Sequence, residues 1–196
     1  MSAHPGSATQ RYFSRLQSVL NERIEVAEFD SGIRLVEQAW MAGNQVITLG
    51  NGGSSMTALH FITDWNKSVL LSTGRPLRGR SLVDNIGLLM AYGNDISFQD
   101  IFAEQLKNIL LPGDLVIAIS GSGNSENVIR AVDYANAHGA VTLGLCGYSG
   151  GRLKACSQHS IWVRANDMQL CEDLHAMFGH VVMQKLCGGL DQPAAL

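Results

Sequence analysis

The stretch Val46-Ile47-Thr48-Leu49-Gly50-Asn51-Gly52-Gly53-Ser54-Ser55 decides the fold. An apolar run ends in a turn of glycine, asparagine and serine, and a helix-patterned run carrying His60 and Asp64 follows. A strand, a glycine-rich turn and a helix N-terminus together form an anion-binding arrangement. Glycine lets the backbone approach a phosphate, and the free N–H groups of the first helical turn point at it. The arrangement returns downstream: Leu115-Val116-Ile117-Ala118-Ile119, then Ser120-Gly121-Ser122-Gly123-Asn124-Ser125, then a helix-patterned run from Glu126. Two such units in one small chain point to a phosphorylated ligand held from two sides.

Outward from these units the pattern alternates. The spacing predicts helix from about Thr9 to Ala42, with a break near Asp30-Ser31 and a stop at Gly43-Asn44. Strands are predicted at Gln45–Leu49, Ser81–Val83, Leu115–Ile119, Val141–Leu145 and Ser160–Val163. Helices are predicted at Ser54–Lys67, Ile86–Tyr92, Phe98–Leu110, Asn127–Ala137, Gly151–Ala155 and Leu170–Leu186. Alternating strands and helices imply a parallel sheet covered on both faces. The expected fold is α/β: a three-layer α/β/α sandwich, flavodoxin-like, with a five-stranded parallel sheet and a helical N-terminal lead. Residues 1–196 read as one domain, with the lead at about 9–43, the α/β core at about 45–187 and a loose tail at 188–196. Ligands of open α/β sheets sit outside the C-terminal ends of the strands. Gly50–Ser55 and Ser120–Ser125 both belong to that end.

Composition narrows the function classes. A chain of 196 residues can bury a good core. The net charge of −3 and the lack of a Lys/Arg cluster offer no field for nucleic acid. Apolar runs such as Ile109-Leu110-Leu111 are too short to span a bilayer, so no membrane partner is expected. Met1–Gly6 has neither a basic nor an apolar segment, so no signal peptide is expected. Cys146, Cys156, Cys171 and Cys187 lack C-x-x-C spacing and read as reduced packing thiols of a cytoplasmic protein.

The glycine loops are not nucleotide fingerprints. G-x-G-x-x-G fails at Gly50–Ser55 for want of the last glycine, and G-x-x-x-x-G-K-[ST] is absent. Isolated glycine turns are usually structural. Here, however, the two loops together carry Ser54, Ser55, Ser120, Ser122 and Ser125, and hydroxyls with backbone N–H groups bind a phosphomonoester without Arg. His60 and Asp64 stand at i, i+4 on one helix face. In isolation such a pair is a local hydrogen bond. This one lies about 10 Å along the helix from the phosphate loop, the span between the two ends of an extended sugar phosphate. His with a carboxylate is also a metal-ligand pair.

The last helix offers Glu172, Asp173, His175 and His180. Asp173 suits a helix start and needs no function. His175 and His180, five apart, do not readily share a site. Glu172 and His180 lie about 12 Å apart along an ideal helix and cannot reach one metal from it. Either Glu172 sits in an irregular segment before the helix, or one ligand comes from a neighbouring subunit. His4, His138 and His159 have no partners in view.

The sequence resembles the sugar isomerase (SIS) domain family, most closely its phosphoheptose isomerases. The resemblance runs through Gly50-Asn51-Gly52-Gly53-Ser54, His60-Phe61, Gly93-Asn94-Asp95, Ser120 to Val128, and His180. It implies homotetramers with active sites between subunits. It also implies interconversion of sedoheptulose 7-phosphate and D-glycero-D-manno-heptose 7-phosphate, an early step toward heptose in surface polysaccharides such as lipopolysaccharide or capsule. Asn51, Gly52, Gly53, Asn94, Asp95, Ser120, Gly121, Ser122 and Ser125 match substrate-binding positions. His60, Asp64, Glu172 and His180 match zinc ligands, and Asp64 with His180 matches the acid–base pair.

Three departures stand out. The family's Glu is Asp64 here, its Gln is Glu172, and its Arg just beyond position 64 is unmatched, with Lys67 and Ser68 in that neighbourhood. The resemblance therefore implies an enediol(ate) isomerisation with Asp64 or Glu172 as base, and Glu172 also counts among the substrate-binding residues. The alternatives are a phosphosugar-binding sensor, an adaptor that binds the replication initiator, and an isomerase of a different sugar phosphate. Retention of His60, an acid at 64 and His180 favours an enzyme.

Overall fold

The computed structural model describes residues 6–191; His4 and the tail beyond 191 lie outside them. The order is α1 (Ala8–Glu22), α2 (Val26–Ala42), β1 (Gln45–Gly50), α3 (Gly53–Thr73), β2 (Arg78–Ser81), α4 (Ile86–Asp95), α5 (Ile101–Ile109), β3 (Leu115–Ser120), α6 (Glu126–Ala137), β4 (Val141–Cys146), α7 (Gly151–Cys156), β5 (His159–Trp162) and α8 (Met168–Leu186), closed by a 3-10 turn at Gly189–Asp191. All five strands are parallel, in the order β2-β1-β3-β4-β5. Helices α2, α3 and α8 cover one face, and α5, α6 and α7 the other. This is the three-layer α/β sandwich expected from the alternation.

The central strands explain the order. β1 and β3 are buried along their whole length, so each presents apolar residues to both helical layers. Val46, Ile47, Leu49, Val116, Ile117 and Ile119 are wholly inaccessible. Each such side chain contributes roughly 1.5–3 kcal/mol by leaving water. Helix α1 packs separately, with Val19 joining Val163, Leu170, Cys171 and Leu174 in a smaller cluster. Arg15 pairs with Asp167, and Tyr12 Oη donates to Asp173 Oδ2 at 2.5 Å. No helix of the described residues is long and apolar enough to cross a membrane.

Several boundaries differ from the sequence expectation. The break in the helical lead falls at Arg23–Glu25, not at Asp30-Ser31. The Asp30-Ser31-Gly32 segment stays helical because Gly32 is a packing point: a Cβ there would come within 3.0 Å of the Phe178 ring and 2.9 Å of Ile161. The second strand is Arg78–Ser81 rather than Ser81–Val83. It is a polar edge strand, fixed by pairing with β1 rather than by its own apolarity, while Leu82 and Val83 plug the core just beyond it. Helix α5 starts at Ile101, since a Ser97–Asp100 turn, with Ser97 Oγ 2.6 Å from Asp100 Oδ2, occupies its expected first turn. The tail expectation is modified by the turn at Gly189–Asp191.

Candidate active site

The chain runs from β1 to β2 on one side of the sheet, then returns to β3 on the other. A crevice opens where strand order reverses, and the two glycine–serine loops meet there, with Gly50 opposite Ile119. In the first loop Gly52 takes φ 53°, and Gly50 has no room for a side chain against Ser54. In the second, Gly123 (φ 67°) lies on the Gly150 carbonyl, where a Cβ would come within 2.1 Å. Leu153 N–H donates to Gly123 O at 2.8 Å and holds this loop down. Ser120 Oγ lies 3.3 Å from Ser125 Oγ and accepts from the Gly123 N–H at 3.2 Å. Between the loops is a cleft of about 150 Å³, lined by Asn51, Ser54, Ile119, Ser120, Gly121, Ser122, Ser125, Met168 and Glu172. Hydroxyls and a helix N-terminus dominate it, and neither Lys nor Arg is in this lining.

A second constellation lies along α3. Helices α3 and α8 cross closely because Gly179 has no side chain; a Cβ would meet the Phe61 ring at 2.2 Å. Trp65 Nε1 donates to Gly179 O at 2.9 Å and Phe61 stacks on Trp65, which fixes the crossing. The neighbours of these packing residues, His60 and His180, are thereby set side by side, with ring centroids 5.1 Å apart. His60 Nε2 is 3.1 Å from Asp64 Oδ2. Ligand atoms of His60, Asp64 and His180 all lie within 4.8 Å of one another. Two imidazoles and a carboxylate at this spacing form a donor set that suits zinc.

Glu172 stands apart from this triad. Asp167 caps α8, accepting from the Leu170 N–H at 3.2 Å, so the helix is regular from Met168 onward. That removes the alternative of an irregular segment before it. Two turns ahead of His180, the Glu172 carboxylate instead faces Gly53, whose Cβ would be 2.5 Å from Glu172 Oε1, and forms part of the cleft wall. Within one chain, Glu172 is not a fourth member of the metal group.

The remaining sequence-predicted residues distribute around the cleft. Ser55 Oγ donates to Gly52 O at 2.6 Å, so it braces the loop. Asn94 borders an adjoining apolar groove of about 640 Å³ with Asn51, Gly52 and Ser55. Asp95 accepts from Asn94 Nδ2 at 2.8 Å and lies outside the lining of either cavity. Sequence reasoning missed Met168, whose sulfur would meet a Cβ on Gly121 at 2.3 Å, and Asn127, bonded to Asn51. A Met at a helix start carries no functional signal. Asn127 sits inside the recognised serine motif, and that position was its only cue. His175 is fully buried with both ring nitrogens unpartnered. Burial pushes its pKa down to about 4. The four cysteines are free thiols, and burial pushes Cys146 up to about 12.

Such a sheet, with two serine loops at its switch point, defines an α/β protein built around an anionic small-molecule site. A SIS domain profile matches residues 10–147, more than half of the chain. The chain is 34% identical over 150 residues to a phosphoheptose isomerase of Aquifex aeolicus, covering 76% of this chain and 78% of that one. It is 35% identical over 167 residues to a phosphoheptose isomerase of Citrifermentans bemidjiense, covering 85% and 84%. The structure of a phosphoheptose isomerase from Neisseria gonorrhoeae superposes with TM-score 0.84 at 26% identity, covering 92% and 97% of the two chains. The chain belongs to the SIS domain family.

Proposed function

We propose that the protein is a phosphoheptose isomerase, an aldose–ketose isomerase that converts sedoheptulose 7-phosphate to D-glycero-D-manno-heptose 7-phosphate. The observation that carries this reading is the pairing of a two-loop hydroxyl cleft with a His/Asp/His group farther along the helix leaving the first loop. The relatives named phosphoheptose isomerases support it.

The phosphate binds to the serine hydroxyls and to the backbone N–H groups opening α3. The carbonyl end extends along α3 toward Asp64. Glu172, in the wall of the loop cleft, serves the phosphate-proximal part of the sugar as a hydroxyl acceptor. Asp64, beside His180, is the base. Its Oδ2 faces His60, which leaves Oδ1 for substrate. Asp64 removes a proton from C1 of the ketose, the C1–H electron pair becomes the C1–C2 double bond, and the carbonyl pair moves onto O2. His180 carries a proton from O1 to O2, and protonated Asp64 returns its proton to C2, leaving the aldose. His60, Asp64 and His180 would hold zinc, and the ion would supply Lewis-acid polarisation of the carbonyl.

Free thiols support a cytoplasmic location. Met56, Ile86, Met90 and Phe98, each at least 60% exposed beside the cleft, support a homotetramer whose subunits cover them and share the active sites. Residues 1–196 act as one domain. The test is an NMR-monitored assay with sedoheptulose 7-phosphate and with pentose and hexose ketose phosphates, each with and without chelator. Conversion of the heptose phosphate alone, weakened by chelator, is expected. Conversion of none would favour a binding or adaptor role.

A further inference from the structure

The two loops are joined by a reciprocal amide pair. Asn51 Nδ2 donates to Asn127 Oδ1 at 2.8 Å, and Asn127 Nδ2 donates back to Asn51 Oδ1 at 2.9 Å. The Val128 N–H donates to the same Asn127 Oδ1 at 3.0 Å, which fixes the orientation of that amide. Asn127 is 2% exposed, in the first turn of α6 directly behind the second loop. It is not in the lining of the cleft, whereas Asn51 is.

We propose that Asn127 is a positioning residue. Acting through Asn51, it sets the separation and orientation of the two loops and so the affinity for the phosphate end of the ligand. This rests on the reading of the cleft as a phosphosugar site. The second loop is already pinned on its far side, where Leu153 N–H donates to Gly123 O. The amide pair is the side-chain tie between that anchored loop and the first. Both amides use donor and acceptor, and at the buried Asn127 water does not readily replace a lost partner. The phosphate takes no part in the proton transfers and is gripped alike in ground and transition states. Loosening its cradle therefore raises KM and leaves kcat near its starting value. General damage to the fold would instead lower kcat at constant KM by reducing the active fraction.

Asn127→Asp keeps the size of the side chain and the acceptor for Val128 N–H, places a charge favourably at a helix N-terminus, and removes the donor to Asn51. Asn127→Ala removes the pair altogether and serves if the first variant folds poorly. Kinetics with sedoheptulose 7-phosphate and calorimetric titration with inorganic phosphate are compared in wild type and both variants, alone and in an Asn51→Ala background. KM and the phosphate Kd are expected to rise about fivefold to tenfold, as for loss of one buried neutral hydrogen bond. In the Asn51→Ala background no further change is expected. Unchanged KM and Kd, a fall in kcat at constant KM, or an undiminished effect without the Asn51 side chain would each overturn the proposal. A wild-type protein that binds neither ligand would overturn the phosphosugar reading itself.

Discussion

His60 Nε2 lies 3.1 Å from Asp64 Oδ2, one helical turn away, with the His180 ring edge-on to His60. Asp64 and His60 lie on α3, the helix that begins in the first glycine–serine loop, and α8 brings the His180 ring to them. One helix thus links the loop cleft, through Ser54, to the His/Asp/His group.

The division of labour between the carboxylates can be read from variants. Asp64→Asn should lower kcat by about 10²–10⁴ with KM little changed, the size of a lost general base. Glu172→Gln should mainly raise KM, since its carboxylate lies against the loop glycine. Steady-state kinetics on both variants checks this. Full activity in both would remove proton abstraction by either residue from the mechanism.

Metal content follows the triad. His60→Ala and His180→Ala should each abolish stoichiometric zinc retention after equilibrium dialysis, measured by elemental analysis. Glu172→Gln should retain zinc, because Glu172 is not grouped with the triad within one chain. Loss of zinc from Glu172→Gln would point to a fourth ligand from a neighbouring subunit.

The sequence made the loops, the sheet and the i, i+4 pair legible because each is a local pattern. The separation of Glu172 from His180 was legible as helix spacing, but Asn127 and Met168 were not. They depend on where α6 and α8 sit against the first loop, which no local spacing encodes. The misplaced break at Asp30-Ser31 has the same origin. Beside it, Gly32 allows the close approach of Phe178 within a continuous helix.

Acid should destabilise the protein through His175. Its folded pKa is depressed from 6.5 to about 4 by burial, so between these values the unfolded chain binds the extra proton and the native chain does not. Stability therefore falls as pH drops from 6.5 toward 4, by up to about 3 kcal/mol from this group. His175→Phe should flatten the pH dependence of the urea midpoint between pH 7 and pH 4.5. An equally steep dependence in the variant would assign the acid sensitivity elsewhere.

Gly179→Ala should destabilise by about 1–3 kcal/mol, because its methyl group would meet the Phe61 ring at the α3–α8 crossing. The same shift would part His60 from His180, so zinc affinity should fall with stability. Urea unfolding and zinc titration of the one variant test both. Wild-type stability would show that Phe61 relaxes freely.

The most direct test of the central claim is incubation of sedoheptulose 7-phosphate with the protein in D₂O, followed by NMR. Formation of the aldose 7-phosphate is expected, with deuterium entering at C1 of the ketose or C2 of the aldose as the enediol exchanges its carbon-bound proton. Absence of both aldose and deuterium would contradict it.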